Sequence, residues 1–495
     1  MHHVVKYEIK QTDELYEYCD AITKAANNLR NAALFRVRQV LTMVDKPLEK
    51  ITENELKIYN ELQTYLPVMG AKYKMPTKGK TFLGYGFLNK LLYVSGNPDY
   101  FCEAMPKQGA EQTLRRVVKE MKGFYAGCRA YNKCPEKFTG KPKLPGYGKK
   151  GGNFTAYLTN QDCVVYACEN DPLCHELKLP LYKKRFLMGD TPIPGRLKQV
   201  EISPRHGIFA LILVFDDGIK EVKKVDKPTR ICAIDMGVEN IAAITNNIGE
   251  PCLLFKGGVI KSINQQYNKR MAAIQSEQTK GSAEKFEMTP EADKLCLDRQ
   301  HKMDDFMSKV AKRIIEWCVV YEIDTIVIGH NTFWKQNSNL GKVGNQNFVQ
   351  IPFYKFVKQI EYRAENLGIR IIMQEESYTS KASFLDKDDI PVYGKTEGEP
   401  SFSGTRYQRG MYRSKDGTVL NADLNGSANI LRKAVPDAFG EQAPLFNEVC
   451  VFPHPYFEEM LSNSAIQCAK QAFASQKEKR PSRAKMRRLT RKQLK

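Results

Sequence analysis

"RICAIDMGVEN", residues 230–240, decides the fold, because an apolar run ends there on a single acidic residue. Ile231 and Ala233 predict a buried strand, and Gly237 predicts the turn that follows it. A lone carboxylate at the end of a buried strand is costly unless it is paired or holds a cation. The pattern therefore predicts a partner or a cation for Asp235.

The sequence after this stretch predicts a mixed α/β domain. Two further short apolar strands follow the first, and a long polar helical hairpin covers residues 261–320. A buried strand "DTIVIGHN", an amphipathic helix that stops at Gly368 and a strand "IRIIMQEES" come next. This order of elements is typical of the ribonuclease H type of domain.

Composition indicates a folded, soluble protein with an anionic partner. The 495 residues suffice for two to four domains, and 42% of them are hydrophobic. The formal charge of +20 favours nucleic acid and leaves an anionic membrane surface open as the alternative. No apolar run has the length of a membrane span and the N-terminus lacks the apolar block of a signal peptide, so we expect a cytoplasmic protein.

The cysteines predict no disulfide framework and no zinc site. The thirteen cysteines are scattered and never form a CxxC pair, so we expect reduced thiols. Cys163, Cys168 and Cys174, followed by His175, have spacings that fit no common zinc pattern.

Residues before the α/β domain predict a short strand, a basic helical module and a β-rich segment. Residues 4–9 form the strand pattern, and residues 14–41 and 110–127 carry apolar residues at helical spacing with Arg and Lys outside the stripe. Pro, Gly and lysines between aromatic residues then introduce alternating strands over roughly 136–225.

Two aspartates fit a nuclease site. Phosphodiester cleavage by two metal ions needs acidic oxygens from several strands, because Mg²⁺ prefers octahedral oxygen ligands and the ions lie about 4 Å apart. In a ribonuclease-H-type sheet the first strand ends on an aspartate and the last helix starts beside another. Asp235 fits the first place, and Asp423 in "NADLNGSANILRK" fits the second. The alternative is structural, with Asp235 in a turn and Asp423 as an N-cap.

The remaining acid is not fixed by the local pattern. The strand "IVI" ends on Gly329 and His330, and the next strand ends on Glu375 and Glu376. Both faces of that strand are largely apolar, so alternation does not choose between the two glutamates. His330 can ligate a metal or can be a buried, hydrogen-bonded residue.

The stretch from Asp235 to Lys433 resembles the RuvC-like nuclease domain of TnpB, the transposon-encoded RNA-guided DNA endonuclease, and of the compact type V CRISPR effectors descended from it. The strings that carry the resemblance are "AIDMGVENIAAITNN", "IVIGHNTFWKQ", "NFVQIPFYKFVKQIEYRAENLGI", "EESYTSKASFLD", "FSGTRYQRGMYRSKDG" and "LNADLNGSANILRK". The resemblance extends more weakly upstream. It implies α/β, helical and β-barrel modules, with a RuvC-like nuclease domain preceded by a wedge β-barrel that a helical recognition domain interrupts.

The resemblance implies a division of the whole chain. Its parts are the first wedge strand (1–12), the helical recognition domain (13–135), the wedge β-barrel (136–228), the nuclease domain (229–435) with the hairpin 261–320 and a zinc-free insertion (377–422), and a basic C-terminal tail (436–495).

The implied partners are a guide RNA and target double-stranded DNA, with the DNA opened at a short flanking motif. No membrane partner is expected. The basic residues implied to contact nucleic acid are Arg30, Arg36, Arg38, Arg115, Arg116, Lys119, Lys141, Lys143, Arg406 and Arg409. For Arg406 and Arg409, stabilisation of the scissile phosphate and a structural ion pair are both open.

The resemblance also implies the acids and the metals. Asp235, Glu376 and Asp423 would bind two Mg²⁺ ions, with Mn²⁺ as a substitute and Glu375 as the second choice for the middle acid. Most relatives carry that glutamate where this chain has Gly329, and a subgroup has it on the next strand. Most relatives also have a four-cysteine zinc ribbon, but residues 377–422 contain no cysteine, so no structural zinc is expected.

Two other functions compete with the nuclease. One is a guided DNA-binding repressor whose nuclease has decayed, which the missing acid at Gly329 favours. The other is an unguided transposase or recombinase of the ribonuclease H fold. The sequence does not separate a transposon-derived guide from a CRISPR-like one.

Overall fold

The computed structural model describes residues 2–169, 171, 173–219, 227–280, 285–330, 346, 348–392, 400–440 and 444–454. The chain divides into two compact units, Met1–Lys220 and Glu221–Lys495. Within the described residues no helix is both long enough and apolar enough to cross a bilayer. Every cysteine in that part of the chain is free of a disulfide bond. Residues 455–495, the larger part of the predicted basic tail, lie outside the described residues.

Four long helices dominate the first unit. The predicted helices at 14–41 and 110–127 are confirmed as α1 (Tyr16–Met43) and α4 (Lys107–Lys133), and two unpredicted helices, α2 (Glu53–Met69) and α3 (Tyr85–Val94), lie between them. Helix α2 begins with a capping box, in which Thr52 and Glu55 each accept a hydrogen bond from the other's backbone N–H.

The strands of the first unit form two antiparallel sheets. Strand β1 (His2–Ile9) pairs with β7 (Ile208–Asp216), so the four helices are inserted between two neighbouring strands of one sheet. The remaining strands of that sheet are β6 (Arg196–Arg205) and β2 (Ala156–Thr159), in the order β1-β7-β6-β2. The second sheet contains β3 (Val164–Ala167), β4 (His175–Lys178) and β5 (Arg185–Gly189).

The second unit is built on a six-stranded mixed sheet. Its strands are β8 (Ile231–Asp235), β9 (Asn240–Asn246), β10 (Pro251–Lys256), β11 (Thr325–Gly329), β12 (Arg370–Gln374) and β16 (Leu445–Phe452), in the order β12-β11-β8-β9-β10-β16. Strands β8, β9 and β10 are antiparallel neighbours, whereas β11 runs parallel to β8 and β12 parallel to β11. The strands predicted around Asp235 and at 324–331 and 369–377 are thus confirmed.

Strand β16 was not anticipated. It lies inside residues 436–495, which the sequence assigned to a basic tail, yet it pairs parallel with β10. Strand β10 lies far earlier in the chain, so a local sequence pattern cannot reveal that the two strands pair.

Helices cover both faces of this sheet. The predicted hairpin is formed by α5 (Gly258–Thr279) and α6 (Pro290–Val320), and the predicted amphipathic helix is α7 (Phe353–Glu365). These helices share a core with Cys232 and Ile234 on one face. On the other face Ile231 and Ala233 pack against α8 (Ala422–Ala434). Alternation along β8 therefore directs Asp235 toward α8.

A small antiparallel sheet precedes α8 within the segment 377–422. It consists of β13 (Thr405–Gln408), β14 (Met411–Arg413) and β15 (Val419–Asn421). Tyr412 of β14 is fully buried, and its hydroxyl donates a hydrogen bond to the backbone oxygen of Lys381. This sheet lies within the insertion (377–422) that the resemblance implies.

Candidate active site

Asp235 ends β8 directly beneath helix α8. A Cβ atom at Gly426 would lie 2.5 Å from Oδ2 of Asp235, so the absence of a side chain on this turn of α8 leaves room for the carboxylate. Burial, followed by the charges of Asp423 and Glu376, raises the pKa of Asp235 well above its ordinary value. The three acids named from the sequence are therefore close enough to interact.

Asp423 lies in the first turn of α8 but does not cap the helix. The N-cap is Asn421, whose side chain accepts hydrogen bonds from the backbone N–H groups of Asp423 and Leu424. The carboxylate of Asp423 is thereby left for other contacts. Its Oδ2 accepts a hydrogen bond of 2.7 Å from the Asn240 amide, and its Oδ1 lies 3.8 Å from Arg406.

Glu376 follows β12 and reaches toward the end of the neighbouring strand β11. Its Oε2 lies 2.7 Å from the position that a Cβ atom of Gly329 would take. Ile328 of β11 pairs with Ile234 of β8, and the next residues along the two strands are Gly329 and Asp235. Gly329 therefore lies beside Asp235. The Glu376 carboxylate thus occupies side-chain space beside Asp235.

Glu375, the alternative acid, is held by other groups. Its Oε2 accepts a hydrogen bond of 2.7 Å from Lys433, and its Oε1 accepts one from the backbone N–H of Ser377. Burial opposes ionisation, but these hydrogen bonds outweigh it and lower the pKa of Glu375. In contrast, burial and the nearby Glu375 charge raise the pKa of Glu376 to about 7. Glu376 is therefore the acid that faces Asp235.

The donor set fits a hard divalent cation. Among the described residues no group of three or more His, Cys, Asp or Glu side chains is arranged to hold a metal ion as it stands. Mg²⁺, however, is usually held by one or two carboxylates and completes its octahedron with water and substrate oxygens. Glu376 Oε2 is buried with no hydrogen-bond partner, and burial, followed by the charges of neighbouring carboxylates, raises the pKa values of Asp235 and Glu376. A cation would relieve both.

His330 extends the strand ladder. Its backbone N–H donates to the backbone oxygen of Gln374 at 2.8 Å, which continues the β11–β12 pairing by one residue. No metal-binding group of three that includes its imidazole occurs in the described residues.

Arg406 and Arg409 lie on the β13–β14 hairpin. Arg406 is half exposed and its guanidinium is 3.8 Å from Asp423. Arg409, at the tip of the hairpin, forms an ion pair with Glu239, which also pairs with Lys261. Arg406 therefore lies at the carboxylate cluster, whereas Arg409 connects the hairpin to the β8–β9 turn.

Three predicted phosphate-binding arginines of α1 make internal contacts. Arg30 is buried, pairs with Glu120 and also donates to the backbone oxygen of Gly146. Arg36 pairs with Glu61. Arg38 donates to the backbone oxygen of Pro145 and stacks on Tyr147. These contacts hold the helices and the 145–148 segment together.

The other predicted cations of the first unit are more accessible. Arg115 and Lys119 are exposed on α4, and Lys141 and Lys143 are exposed in the segment after it. Arg116 is partly buried. Arg115 stacks on Tyr85, and Arg116 stacks on Tyr157.

The sequence analysis missed the residues that organise the site. Asn240, Gly329, Gly426 and Lys433 contact or make room for the acids, and Asn429 donates to the backbone oxygen of Thr379 in the loop after Glu376. The string "NADLNGSANILRK" carried a signal, because Asn425, Asn429 and Lys433 recur every four residues on one side of a helix.

Two family models match adjoining parts of the chain. A model of the OrfB_IS605 family, described as a probable transposase, matches residues 212–335, which contain Asp235. A model of the Cas12f1-like TNB domain matches residues 353–430, which contain Glu376 and Asp423. The TnpB-like protein ORF457 of Acidianus two-tailed virus is 27% identical over 264 residues, 49% of this chain. The resemblance to TnpB-like proteins is confirmed.

The TnpB-like match has a limited extent. It covers 53% of the viral relative, so the chain spans about half the length of that protein. Similar solved structures include a Cas12f1–sgRNA–target DNA complex, at 13% identity with a TM-score of 0.45 over 84% of this chain and 82% of that chain. Another is the mini-RNA-guided endonuclease CRISPR-Cas_phi3, at 11% identity with a TM-score of 0.43 over 88% and 92%.

Proposed function

We propose that this protein is an RNA-guided DNA endonuclease with a RuvC-like site formed by Asp235, Glu376 and Asp423. The observation that carries the proposal is the approach of these three carboxylates, from β8, the end of β12 and the start of α8, to one another. The two family matches, one over the range that contains Asp235 and one over the range that contains Glu376 and Asp423, support it. The wedge β-barrel and the helical recognition domain implied by the sequence belong to the same proposal.

Each acid has a role in this site. Asp235, Glu376 and Asp423 would together hold two Mg²⁺ ions. When bound, such a pair of ions activates a water molecule and stabilises charge on the scissile phosphate and the leaving oxygen. Asn240 keeps the Asp423 carboxylate in place through its amide. Mn²⁺ is expected to substitute for Mg²⁺ because it accepts the same oxygen ligands.

Arg406 would contact the scissile phosphate. Its guanidinium is half exposed and lies 3.8 Å from Asp423, a distance too long for a hydrogen bond, so the guanidinium is able to donate to a phosphate beside the site. In the first unit the exposed Arg115, Lys119, Lys141 and Lys143 are better candidates for guide or target phosphates than the internally paired arginines of α1.

The alternative of a decayed nuclease loses its supporting feature. That feature was the lack of an acid at Gly329, but the Glu376 carboxylate approaches the side-chain space of that residue. The unguided transposase shares the same three acids and differs only in its need for RNA. Dependence on a guide RNA therefore separates the two.

The experiment is cleavage of a DNA duplex by the purified full chain, with RNA that copurifies or is supplied. We expect cleavage that needs Mg²⁺ and a matching guide, and that is lost in Asp235→Asn, Glu376→Gln and Asp423→Asn. Glu361→Gln is the matched control, because it removes a glutamate of the same unit that pairs with the exposed Lys358. Guide-independent cleavage, or full activity of Glu376→Gln, would overturn the proposal.

A further inference from the structure

We propose that Gly329 and Lys433 are positioning residues that direct Glu376, rather than Glu375, into the site. This inference rests on the proposed function and deepens it. Glu376 is not part of the strand beside Asp235, so something other than the strand pleat must fix its carboxylate there. Two independent sets of contacts do so, one from β11 and one from α8.

The first set of contacts surrounds Gly329, where the lack of a side chain leaves room for the Glu376 carboxylate. A Cβ atom there would lie 2.5 Å from Cδ1 of Ile430 and 2.7 Å from Oε2 of Glu376. Both distances are far below van der Waals contact, so any side chain would displace the carboxylate or the isoleucine. Gly329 has no left-handed backbone angle. The glycine is therefore needed for space and not for backbone freedom.

The second contact is the ammonium group of Lys433. It is nearly buried, donates 2.7 Å to Oε2 of Glu375 and 3.0 Å to the backbone oxygen of Ser377. The Ser377 N–H donates to Oε1 of Glu375. Both oxygens of Glu375 are thus occupied, and the turn that carries Glu376 is tied to α8.

Further hydrogen bonds hold the same turn. The Thr379 hydroxyl donates 2.7 Å to the backbone oxygen of Glu376, and Asn429 of α8 donates to the backbone oxygen of Thr379. Helix α8 thereby carries Asp423 at its start and holds the loop of Glu376 near its end. One rigid helix sets the distance between two of the three acids.

The decisive test exchanges the position of the acid. The variants are Glu376→Gly, Gly329→Glu and the double variant, each assayed for guided DNA cleavage and for Mn²⁺ binding by electron paramagnetic resonance. We expect Glu376→Gly to lose more than about 100-fold in cleavage and to bind Mn²⁺ more weakly. The double variant should regain at least about 10-fold of both, because an acid on β11 then fills the space that Glu376 has vacated.

A smaller pair of substitutions guards against misfolding. Gly329→Ala and Lys433→Met should each weaken Mn²⁺ binding by about 10- to 100-fold. Adding Glu375→Gln to Lys433→Met should restore part of the Mn²⁺ binding, because it removes the carboxylate that Lys433 had paired. Gly258→Ala is the control for the glycine, because a Cβ atom there meets nothing within 4 Å. Lys358→Met, which removes an exposed lysine paired with Glu361, is the control for the lysine. The melting temperature of each variant reports its folding.

The outcomes separate the inference from the proposed function. If the wild type does not cleave, or if Glu376→Gly cleaves normally, the proposed function fails. A second pattern would keep the proposed function and contradict the positioning role. In that pattern the wild type cleaves and Glu376→Gly does not, but Gly329→Ala and Lys433→Met bind Mn²⁺ as tightly as the wild type. In the double variant a Cβ atom at residue 329 still meets Cδ1 of Ile430, which Ile430→Val removes. A folded triple variant with Ile430→Val that regains neither cleavage nor Mn²⁺ binding would contradict the inference as well.

Discussion

The side-chain amide of Asn240 donates a hydrogen bond of 2.7 Å to Oδ2 of Asp423, which joins the first residue of β9 to the first turn of α8. Asn240 is buried and its Oδ1 has no partner. The amide therefore orients a carboxylate of the candidate site and makes no other hydrogen bond to the described residues.

Replacing Asn240 should weaken metal binding more than folding. Asn240→Ala frees the Asp423 carboxylate to rotate, so the Mg²⁺ concentration for half-maximal cleavage should rise by about 10- to 100-fold. Asn246→Ala is the matched control, because Asn246 lies at the other end of β9 and its side chain binds the backbone of Ile248 and Glu250 in the turn that follows. The control should lower the melting temperature and leave the Mg²⁺ requirement unchanged. Equal Mg²⁺ requirements for both variants would count against the role of Asn240.

Gly426 offers a test of the space around Asp235. An alanine there gains helix propensity of about 1 kcal/mol, but its Cβ would lie 2.5 Å from Oδ2 of Asp235 and would turn that carboxylate aside. We expect Gly426→Ala to lose at least about 10-fold in cleavage with little change in melting temperature. Gly123→Ala in α4, where a Cβ atom meets nothing within 4 Å, should only gain stability. Full cleavage by Gly426→Ala would show that Asp235 does not need this space.

The hairpin arginines should differ in effect. Arg406→Ala removes a cation near Asp423, so cleavage should fall by about 100-fold while DNA binding changes much less. Arg409→Ala breaks a solvent-exposed ion pair with Glu239, and such pairs contribute about 0 to 1 kcal/mol. Cleavage by Arg409→Ala should stay within a few-fold of the wild type. Single-turnover rates at saturating DNA distinguish the two; similar losses for both would indicate a structural role for the hairpin.

Acid should destabilise the first unit through Glu55. Burial opposes its ionisation, but hydrogen bonds from Lys46, Thr42 and Thr52 outweigh it and lower the pKa of Glu55 from 4.5 to about 2. Because the folded pKa is below the unfolded value, this stabilisation is present above about pH 4.5 and is lost as the pH falls toward 2.

Glu55→Gln should therefore lower stability by about 1 kcal/mol at pH 7 and by less near pH 3, as measured by denaturant unfolding. Glu53→Gln is the control, since Glu53 pairs with Lys57 on the exposed side of the same helix. A loss for Glu55→Gln that is the same at both pH values would contradict the assignment.

Local pattern predicted the acids that belong to regular elements. Asp235 ends an apolar run and Asp423 starts an amphipathic one, so periodicity alone marks both places. Glu375 and Glu376 follow β12 in a turn, where alternation no longer applies. The choice between them depends on Lys433, 58 positions away, and on the missing side chain of Gly329.

Long-range partners also limited the fold prediction. Strand β16 pairs with β10 from far along the chain, and it was missed because the whole segment 436–495 was assigned from its basic end, although "LFNEVCVF" is mostly apolar. Arg30 was predicted to bind phosphate because a basic helix gives no sign that Glu120 lies opposite it. Charge shows which residues can bind an anion, and only the fold shows which of them are already paired.

The most direct measurement is a crystal structure of the protein with Mn²⁺ and guide RNA, with the ions located by anomalous scattering. The account predicts manganese peaks about 2.2 Å from carboxylate oxygens of Asp235, Glu376 and Asp423, with Glu375 still bound to Lys433. Peaks on Glu375, or no peak among the three acids in crystals that hold Mn²⁺ elsewhere, would contradict the central claim.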